Sequence, residues 1–269
     1  MGGRTIIVAE IGENHLGDMA MAQRMIGEAA RAGADVVKFQ SYRAADVSPD
    51  DPEREWFRRV QLSDASHRVL KAAVEQAGLE FLSTPFTVER ATFLCEELGL
   101  TKIKIASSEM LNAGLLDYVN RHAQTVFLST GLATLEEVAQ AVEHLGRVAT
   151  RYLLQCTTQY PTAPEEANLR AIETLRSRFP GCRVGYSDHT LGIRAAVGAV
   201  ALGAEVIEKH FTLDKTLPGT DHILSADPAE FARMVEEIRA LEVLLGSSVK
   251  APTTGERAIR ELVRSRFPK

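Results

Sequence analysis

Histidines that follow short apolar runs are the side chains best suited to metal chemistry in this sequence. Two of them, His189 and His210, end consecutive runs, close to Asp188 and Asp221. Converging imidazoles suit Mn²⁺, Zn²⁺, Fe²⁺ or Co²⁺ better than Mg²⁺ or Ca²⁺, and two protein ligands leave positions for water and substrate. The pattern therefore predicts a metal site at His189 and His210; the alternative is that each histidine only hydrogen-bonds a loop.

Two lysines interrupt otherwise apolar runs. Lys38 lies within VVKFQ and Lys104 within IKIA. A buried charge is costly unless something pairs with it, so we consider a phosphate clamp, a Schiff-base nucleophile, or a structural salt bridge to Glu10 or Glu109. Hydroxyl groups that could complete a phosphate cradle follow other runs, at Ser107, Ser129, Thr130 and Ser187.

A carboxylate, Glu10, ends the first apolar run. It is suited to accept hydrogen bonds from sugar hydroxyls or to act as a base, and equally to neutralise Lys38. Cys156 has no obvious base beside it and is expected to be a buried, inert thiol.

The elements that must position these side chains alternate regularly. Eight short apolar runs are separated by amphipathic, helix-like segments, at 6–11, 36–40, 79–83, 101–106, 126–129, 152–156, 182–187 and 205–210. Such alternation predicts parallel βαβ units, and eight units predict a closed (β/α)₈ TIM barrel. A doubly wound open sheet is the alternative, but no GxGxxG or GxxxxGK[ST] motif occurs. In a barrel, the polar side chains that end each run lie on one face.

Helix signals agree with that architecture. Gly33 and Gly203 stand where a left-handed residue ends a helix, and Thr134, followed by two glutamates, is typical of a helix start. The segment 228–245 is expected to be the last helix of the barrel, and 252–266 a further charged helix. The segment 42–61 is interpreted as a short, charged loop.

Length and composition restrict the remaining classes. The chain has 269 residues, 45% hydrophobic and 25% charged, with a net charge of −5. The acidic balance argues against nucleic-acid binding. The sequence has no apolar run of about 18 residues, so we expect no membrane span. The start lacks the layout of a signal peptide, and three scattered cysteines do not form a disulfide framework, so we expect a cytoplasmic protein.

Nine motifs, in order along the chain, resemble those of the N-acetylneuraminate (sialic acid) synthase family. They are EIGENHLG (10–17), KFQ (38–40), STPF (83–86), KIASSE (104–109), LSTG (128–131), QCTTQYP (155–161), YSDHTLG (186–192), EKHFT (208–212) and PGTDH (218–222). Each lies at a predicted strand end, and the resemblance extends from residue 6 to about residue 264.

The resemblance implies a barrel that condenses phosphoenolpyruvate with an N-acylamino sugar aldehyde, releasing phosphate by C–O cleavage and forming a nonulosonic acid. It implies a divalent metal held by His189 and His210, with Mn²⁺ preferred to Mg²⁺ or Co²⁺. By motif position, the phosphoenolpyruvate contacts are Lys38, Lys104, Ser107, Ser129, Tyr160 and Ser187. The groups that contact sugar are Glu10, Gln40 and Asp221, and the catalytic groups are Glu10, Lys104, Glu109 and Asp221, with Glu10 or Glu109 as the base that deprotonates water.

The sequence also departs from the family pattern. Thr158 stands where many members carry Asn, and Ser108 where Gly is frequent. We expect residues 1–247 to form the catalytic barrel and 248–269 a helical extension that resembles the linker to a C-terminal antifreeze-like domain, itself absent. The resemblance implies a homodimer, but the family's domain-swapped contact would then be missing.

Three alternatives to the first interpretation stay open. The same condensation could use a different sugar- or nucleoside-derived aldehyde, in a specialised pathway. The protein could be a metal-dependent aldolase that does not use phosphoenolpyruvate. It could also be a non-catalytic barrel that serves as a binding partner.

Overall fold

A computed structural model describes residues 4–267 and confirms the predicted barrel. All eight predicted strands are present, and every ladder between them is parallel. Their bounds are β1 Ile6–Gly12, β2 Val36–Ser41, β3 Glu80–Pro85, β4 Lys102–Ile105, β5 Thr125–Ser129, β6 Thr150–Cys156, β7 Arg183–Asp188 and β8 Val206–His210. The hydrogen-bonded order is β3-β2-β1-β8-β7-β6-β5-β4, and β3 lies beside β4 where the ring closes.

Helices follow the strands and cover the outside of the barrel. They are α1 Met19–Arg31, α2 Arg54–Val60, α3 Asp64–Gln76, α4 Val88–Thr92, α5 Ala113–His122, α6 Leu135–His144, α7 Ala171–Arg178, α8 Arg194–Ala201, α9 Pro228–Leu245 and α10 Thr254–Arg264. Helix α4 continues as a π-helical turn, Phe93–Glu97, and a 3₁₀ turn, Ser107–Glu109, follows β4. The interpretation of 42–61 as a loop was wrong, because this segment contains α2, whose contact with the strand ends is described below.

The predicted helix signals act as expected. Thr134 caps α6 in a capping box with Glu137, each side chain bonding the other residue's backbone N–H. Gly33 and Gly203 follow the first and eighth helices with φ values of 87° and 96°, which only glycine adopts without strain. These local signals fix where the helices end, and hence the length of the connections that follow.

The core has two compartments because successive residues of a strand face opposite sides. The outward-facing side chains of the strands pack against the helices in one large apolar cluster. The inward-facing side chains form a second, smaller cluster, consisting of Val8, Val36, Leu82, Phe127, Tyr152, Leu154 and Val206. This apolar layer closes the barrel from below and leaves the space above it for polar groups.

The last helices differ in how they pack. Helix α9 buries Phe231, Met234 and Ile238 against the barrel, whereas every described residue from 247 onwards, including α10, is exposed. The division between a barrel to residue 247 and an extension stays a prediction. Within residues 4–267, no helix has the length and apolar character to cross a membrane.

Candidate functional site

The site begins one step above the apolar layer. Because strand side chains alternate, the residue two positions after an inward apolar one also faces inward. Val8 is followed in this way by Glu10, Val36 by Lys38, and Val206 by Glu208. The ladders place Glu10 beside Lys38 on one flank and beside His210 on the other. In these three strands the inward-facing side chains therefore change from apolar to charged at the same height in the barrel.

The charged groups at this height form one buried network, which we call the inner layer (Glu10, Lys38, Lys104 and Glu208). Lys38 Nζ lies 3.0 Å from Glu10 Oε2 and 3.3 Å from Glu208 Oε2. Lys104 Nζ lies 3.9 Å from Glu208 Oε1. All four side chains are at most 5% exposed. The predicted structural salt bridge between Lys38 and Glu10 therefore exists, but Glu208, and not Glu109, joins it.

Hydroxyl groups surround the inner layer. Lys104 Nζ donates to Ser129 Oγ at 2.7 Å, and Lys38 Nζ donates to Thr84 Oγ1 at 3.3 Å. Ser187 Oγ donates to Glu208 Oε1 at 2.9 Å. Lysines and hydroxyls at such distances form a cradle suited to a phosphate or carboxylate, since each is a hydrogen-bond donor aimed into one cavity.

The pKa values of the two carboxyl groups of the inner layer are shifted in opposite directions. Burial raises the pKa of Glu10 to about 7, against the attraction of Lys38. Burial also acts to raise the pKa of Glu208, but Lys104, Lys38 and the Ser187 hydroxyl together lower it to about 2. Glu10 is therefore the carboxylate that exchanges a proton near neutral pH, while Glu208 stays ionised.

The two lysines differ as well. Burial lowers the pKa of Lys104 to about 8, against the attraction of Glu208. Burial acts in the same direction on Lys38, but Glu10 and Glu208 hold its pKa above the usual value. Lys38 therefore stays charged near neutral pH, whereas Lys104 loses its proton at a lower pH than an exposed lysine does.

His189 and His210 lie above the inner layer with their ring centroids 5.3 Å apart. His189 Nδ1 is 2.8 Å from the Thr157 carbonyl oxygen, which fixes this nitrogen as the N–H and leaves Nε2 free. Burial lowers the pKa of His210 to about 4, so its imidazole is neutral, as metal binding requires. The pair fits a nitrogen-preferring divalent ion with open positions. Among residues 4–267, no cluster of three or more His, Cys, Asp or Glu side chains has metal-binding geometry.

Close approach of three loops shapes the wall of the cavity at Gly131. A Cβ at this position would overlap Thr158 Oγ1 and crowd Ser107 Oγ. The Gly131 backbone N–H donates to Ser107 Oγ at 3.0 Å. The glycine therefore allows the loops after β4, β5 and β6 to meet, and this contact orients the Ser107 hydroxyl.

A second group of residues surrounds the opening of the cavity, and we call it the mouth (Glu13, Glu53, Trp56, Thr220 and Asp221). Glu13 Oε1 accepts a hydrogen bond from the Tyr42 hydroxyl and Glu13 Oε2 accepts one from Trp56 Nε1, each at 2.6 Å. Burial raises the pKa of Glu13 to about 7. Asp221 Oδ2 lies 3.4 Å from His210 Nδ1, so the mouth adjoins the histidine pair.

One cavity of about 380 Å³ contains the inner layer, the histidine pair and the mouth. Eleven of the twelve residues predicted from sequence line it, namely Glu10, Lys38, Gln40, Lys104, Ser107, Ser129, Tyr160, Ser187, His189, His210 and Asp221. Glu109 does not, because the 3₁₀ turn after β4 directs its carboxylate towards Asn112, whose Nδ2 donates to Glu109 Oε2 at 2.8 Å. The geometry thus favours Glu10 over Glu109 among the two predicted bases.

Several lining residues had no role assigned from the sequence. They are Glu13, Glu53, Trp56, Thr84, Thr158 and Glu208. For Glu208 the sequence did contain a signal. It lies two positions before His210 on β8, so the period of two of a strand directs both side chains to the same side. For Glu13 and Trp56 no sequence signal links two residues 43 positions apart.

A family model described as NeuB family matches residues 25–250. The chain belongs to the NeuB family. N,N'-diacetyllegionaminic acid synthase of Legionella pneumophila is 39% identical over 279 residues, covering 96% of this chain and 78% of that protein. Human N-acetylneuraminate-9-phosphate synthase is 35% identical over 270 residues, covering 95% and 75%.

A crystal structure of a related NeuB-type protein supports the same assignment. The N-acetylneuraminic acid (sialic acid) synthetase of Leptospira borgpetersenii, in complex with citrate, superposes with a TM-score of 0.94 at 36% identity. The alignment covers 100% of this chain and 94% of that chain. The fold of this NeuB-family chain therefore matches that of a solved synthetase along the whole length of the chain.

Proposed function

We propose that this chain is a phosphoenolpyruvate-dependent synthase that condenses phosphoenolpyruvate with an N-acylamino sugar aldehyde to form a nonulosonic acid. Membership of the NeuB family and the synthases among its relatives support the reaction class. The observation that carries the proposal is the inner layer, where two lysines and several hydroxyls surround one small cavity.

The inner layer would bind phosphoenolpyruvate through charge. Its phosphate and carboxylate would be met by Lys38 and Lys104, with the hydroxyls of Ser107, Ser129, Ser187 and Tyr160 as further contacts. Substrate anions would also compete with Glu208 for Lys104, raising the pKa of this lysine and fixing its charge. The fixed strand positions of these groups would orient the C3 atom of the enol towards the mouth.

A divalent metal, Mn²⁺ above Mg²⁺ or Co²⁺, would be held by His189 and His210, and it would supply Lewis-acid activation of the aldehyde. The support for this cofactor is the neutral imidazole of His210 and the free Nε2 of His189, whose Nδ1–H is held by the Thr157 carbonyl oxygen. Burial acts to lower the pKa of His189, but the hydrogen bonds and charges around it raise that pKa, so metal binding there would displace a proton more readily at higher pH. The donor set favours Mn²⁺ or Co²⁺, since Mg²⁺ prefers oxygen ligands.

The bond changes then balance as follows. The C3 atom of phosphoenolpyruvate forms a bond to the aldehyde carbon, and the aldehyde oxygen takes a proton, for which protonated Glu10 is the candidate donor because its pKa is about 7. Water adds to the cationic C2 atom and gives one proton to the Glu10 carboxylate formed in this way. As the resulting tetrahedral centre breaks its C–O bond to form the C2 carbonyl, the proton of its hydroxyl group leaves with inorganic phosphate. Ionised Glu208 would stabilise the cationic centre by its charge.

The experiment follows the bridging oxygen of phosphoenolpyruvate. We expect metal-dependent phosphate release when phosphoenolpyruvate labelled with ¹⁸O at the bridging position is supplied with N-acetylmannosamine, and the label should appear in phosphate. His189→Ala and His210→Ala should both lose Mn²⁺ binding and turnover, whereas His122→Ala, at the exposed end of α5, should keep both. No release across a panel of N-acylamino aldehydes with metal present would refute the proposal.

We also infer a cytoplasmic location and small-molecule substrates. The three cysteines, Cys95, Cys156 and Cys182, are free thiols in the structure, which agrees with a reducing compartment. A homodimer remains a prediction, which the molar mass in solution would test.

A further inference from the structure

The mouth of the cavity is acidic. Glu13, Glu53 and Asp221 line it; Glu13 and Asp221 are half-buried, the Asp221 side chain being 15% exposed, and Glu53 is exposed. Within the described residues, Lys38 and Lys104 are the cavity's lining lysines, and no arginine lines it. Arg59 stacks over the Trp56 ring, 5.8 Å from its centroid, but is not part of the lining.

Both lining lysines are already engaged at the inner end. Lys38 lies between Glu10 and Glu208, and Lys104 donates to Ser129 and to the Ile105 carbonyl oxygen. Their burial keeps them at the base of the cavity. Among the described lining residues, a second anionic group placed at the mouth would therefore meet carboxylates and no lysine or arginine, and the metal proposed at His189 and His210 would be engaged by the aldehyde end of the acceptor.

Glu13 is held in place and remains able to accept further hydrogen bonds. Each of its oxygens accepts one hydrogen bond, from Tyr42 or from Trp56, and a carboxylate oxygen can accept two. The aromatic rings of Trp56 and Phe57 form part of the same wall. This combination suits a ligand with hydroxyl or amide N–H donors and a hydrophobic face.

The reaction determines which end of the acceptor reaches the mouth. The aldehyde carbon must meet the enol carbon bound by the inner layer, so the other end of the sugar points outward. Among the relatives, the human synthase is named for a product phosphorylated at C9, and the Legionella synthase for a product without phosphate. Because phosphoenolpyruvate adds three carbons at the aldehyde end, C9 of such a product derives from C6 of the acceptor, at the outward end.

We propose that the mouth selects acceptors that carry hydroxyl or amide groups and no phosphate at the end distant from the aldehyde, with Glu13 as the main determinant. This inference rests on the proposed function and specifies its substrate class. A phosphate at that end would lie against Glu13, Glu53 and Asp221, and like charges placed together in a partly desolvated site weaken binding strongly. Because the pKa of Glu13 is about 7, its share of this repulsion increases as pH rises above neutral.

The test compares N-acetylmannosamine with N-acetylmannosamine 6-phosphate. Kd values are measured by calorimetry on the Mn²⁺-loaded protein without phosphoenolpyruvate, and kcat/KM values by phosphate release with it. We expect a preference of at least about tenfold for the unphosphorylated sugar in both measurements. Glu13→Gln should reduce that preference several-fold. Glu55→Gln should leave the preference unchanged. Glu55 lies next to Trp56 on α2, but it pairs with Arg58 and does not line the cavity.

The outcomes separate this inference from the proposed function. Equal or tighter binding of the phosphorylated sugar, an unchanged preference in Glu13→Gln, or no binding of either sugar would overturn the inference. A clear binding preference without phosphate release from either sugar would support the selectivity of the mouth and refute the condensation.

Discussion

The inner layer and the mouth lie in one cavity, and both combine carboxylates with hydrogen-bond donors, but they are built differently. The inner layer consists of strand residues, and its acids are neutralised by two lysines within 4 Å. The mouth consists of residues from loops and from the short helix α2, and within residues 4–267 its acids have no lysine or arginine beside them in the lining of the mouth. The strands therefore determine the charges around the proposed phosphoenolpyruvate site, whereas the loops and α2 determine which acceptor could enter the cavity.

The largest effect should come from removing one cation of the inner layer. Lys104→Met leaves Glu208 with Lys38 alone and removes the donor to Ser129. Truncating one partner of a buried, hydrogen-bonded charge pair between protein and ligand costs about 2–5 kcal/mol, so we expect kcat/KM for phosphoenolpyruvate to fall by about 10²–10³-fold. Steady-state kinetics and a calorimetric Kd for phosphoenolpyruvate measure the effect separately.

The control for this variant lies on the same strand. Lys102→Met removes a lysine that is 43% exposed and paired with Glu80, and such surface pairs contribute about 0–1 kcal/mol. Its kinetics should stay close to those of the parent. If Lys104→Met abolished aldehyde chemistry while phosphoenolpyruvate bound as before, the aldolase alternative would be favoured.

The contrast between the two regions also explains how far the sequence could predict the site. Alternation in the strands placed Glu10, Lys38 and Lys104 in one layer, because a period of two is a property of every strand. Glu109 lies four positions beyond the end of β4, where that period no longer applies, and a 3₁₀ turn directs its carboxylate to Asn112. Strand residues were predictable, and residues beyond the strand ends were less so.

The mouth was the least predictable part for a related reason. The hydrogen bond between Trp56 and Glu13 depends on α2, a helix of seven residues within a segment interpreted as a loop. Short helices have weak sequence signals, because most of their stability comes from tertiary contacts. The residues that such a helix contacts can be identified only from the three-dimensional arrangement of the strands that it covers.

The protonation of Glu10 should have an effect of intermediate size on the affinity for phosphoenolpyruvate. Its pKa is about 7 because of burial, and anions bound to Lys38 and Lys104 would raise it further. A pKa that is higher in the complex than in the free protein means that binding takes up a proton, so phosphoenolpyruvate affinity should fall as pH rises from about 7 to 8, by at most about tenfold. Loss of the Lys104 proton near pH 8 would act in the same direction.

Calorimetry in buffers of different ionisation enthalpy measures this proton uptake directly. Glu10→Gln should remove its contribution, whereas Glu109→Gln should leave it intact, because Glu109 is bonded to Asn112 outside the cavity. Equal proton uptake in the parent and in Glu10→Gln would show that the inner layer does not titrate at this carboxylate.

The smallest effect should come from the mouth and should concern the acceptor alone. Trp56→Phe keeps an aromatic ring in the wall but removes the N–H that donates to Glu13 Oε2 at 2.6 Å. Losing one such hydrogen bond costs about 1 kcal/mol, so we expect the KM for the acceptor to rise about fivefold while kcat and the KM for phosphoenolpyruvate stay unchanged. Tyr152→Phe is the matched control, because its hydroxyl accepts from Arg183 below the cavity. A change in the phosphoenolpyruvate KM of Trp56→Phe would show that the two regions are coupled. A change confined to the acceptor would mean that acceptor choice can be altered through the loops without disturbing the charges that bind phosphoenolpyruvate.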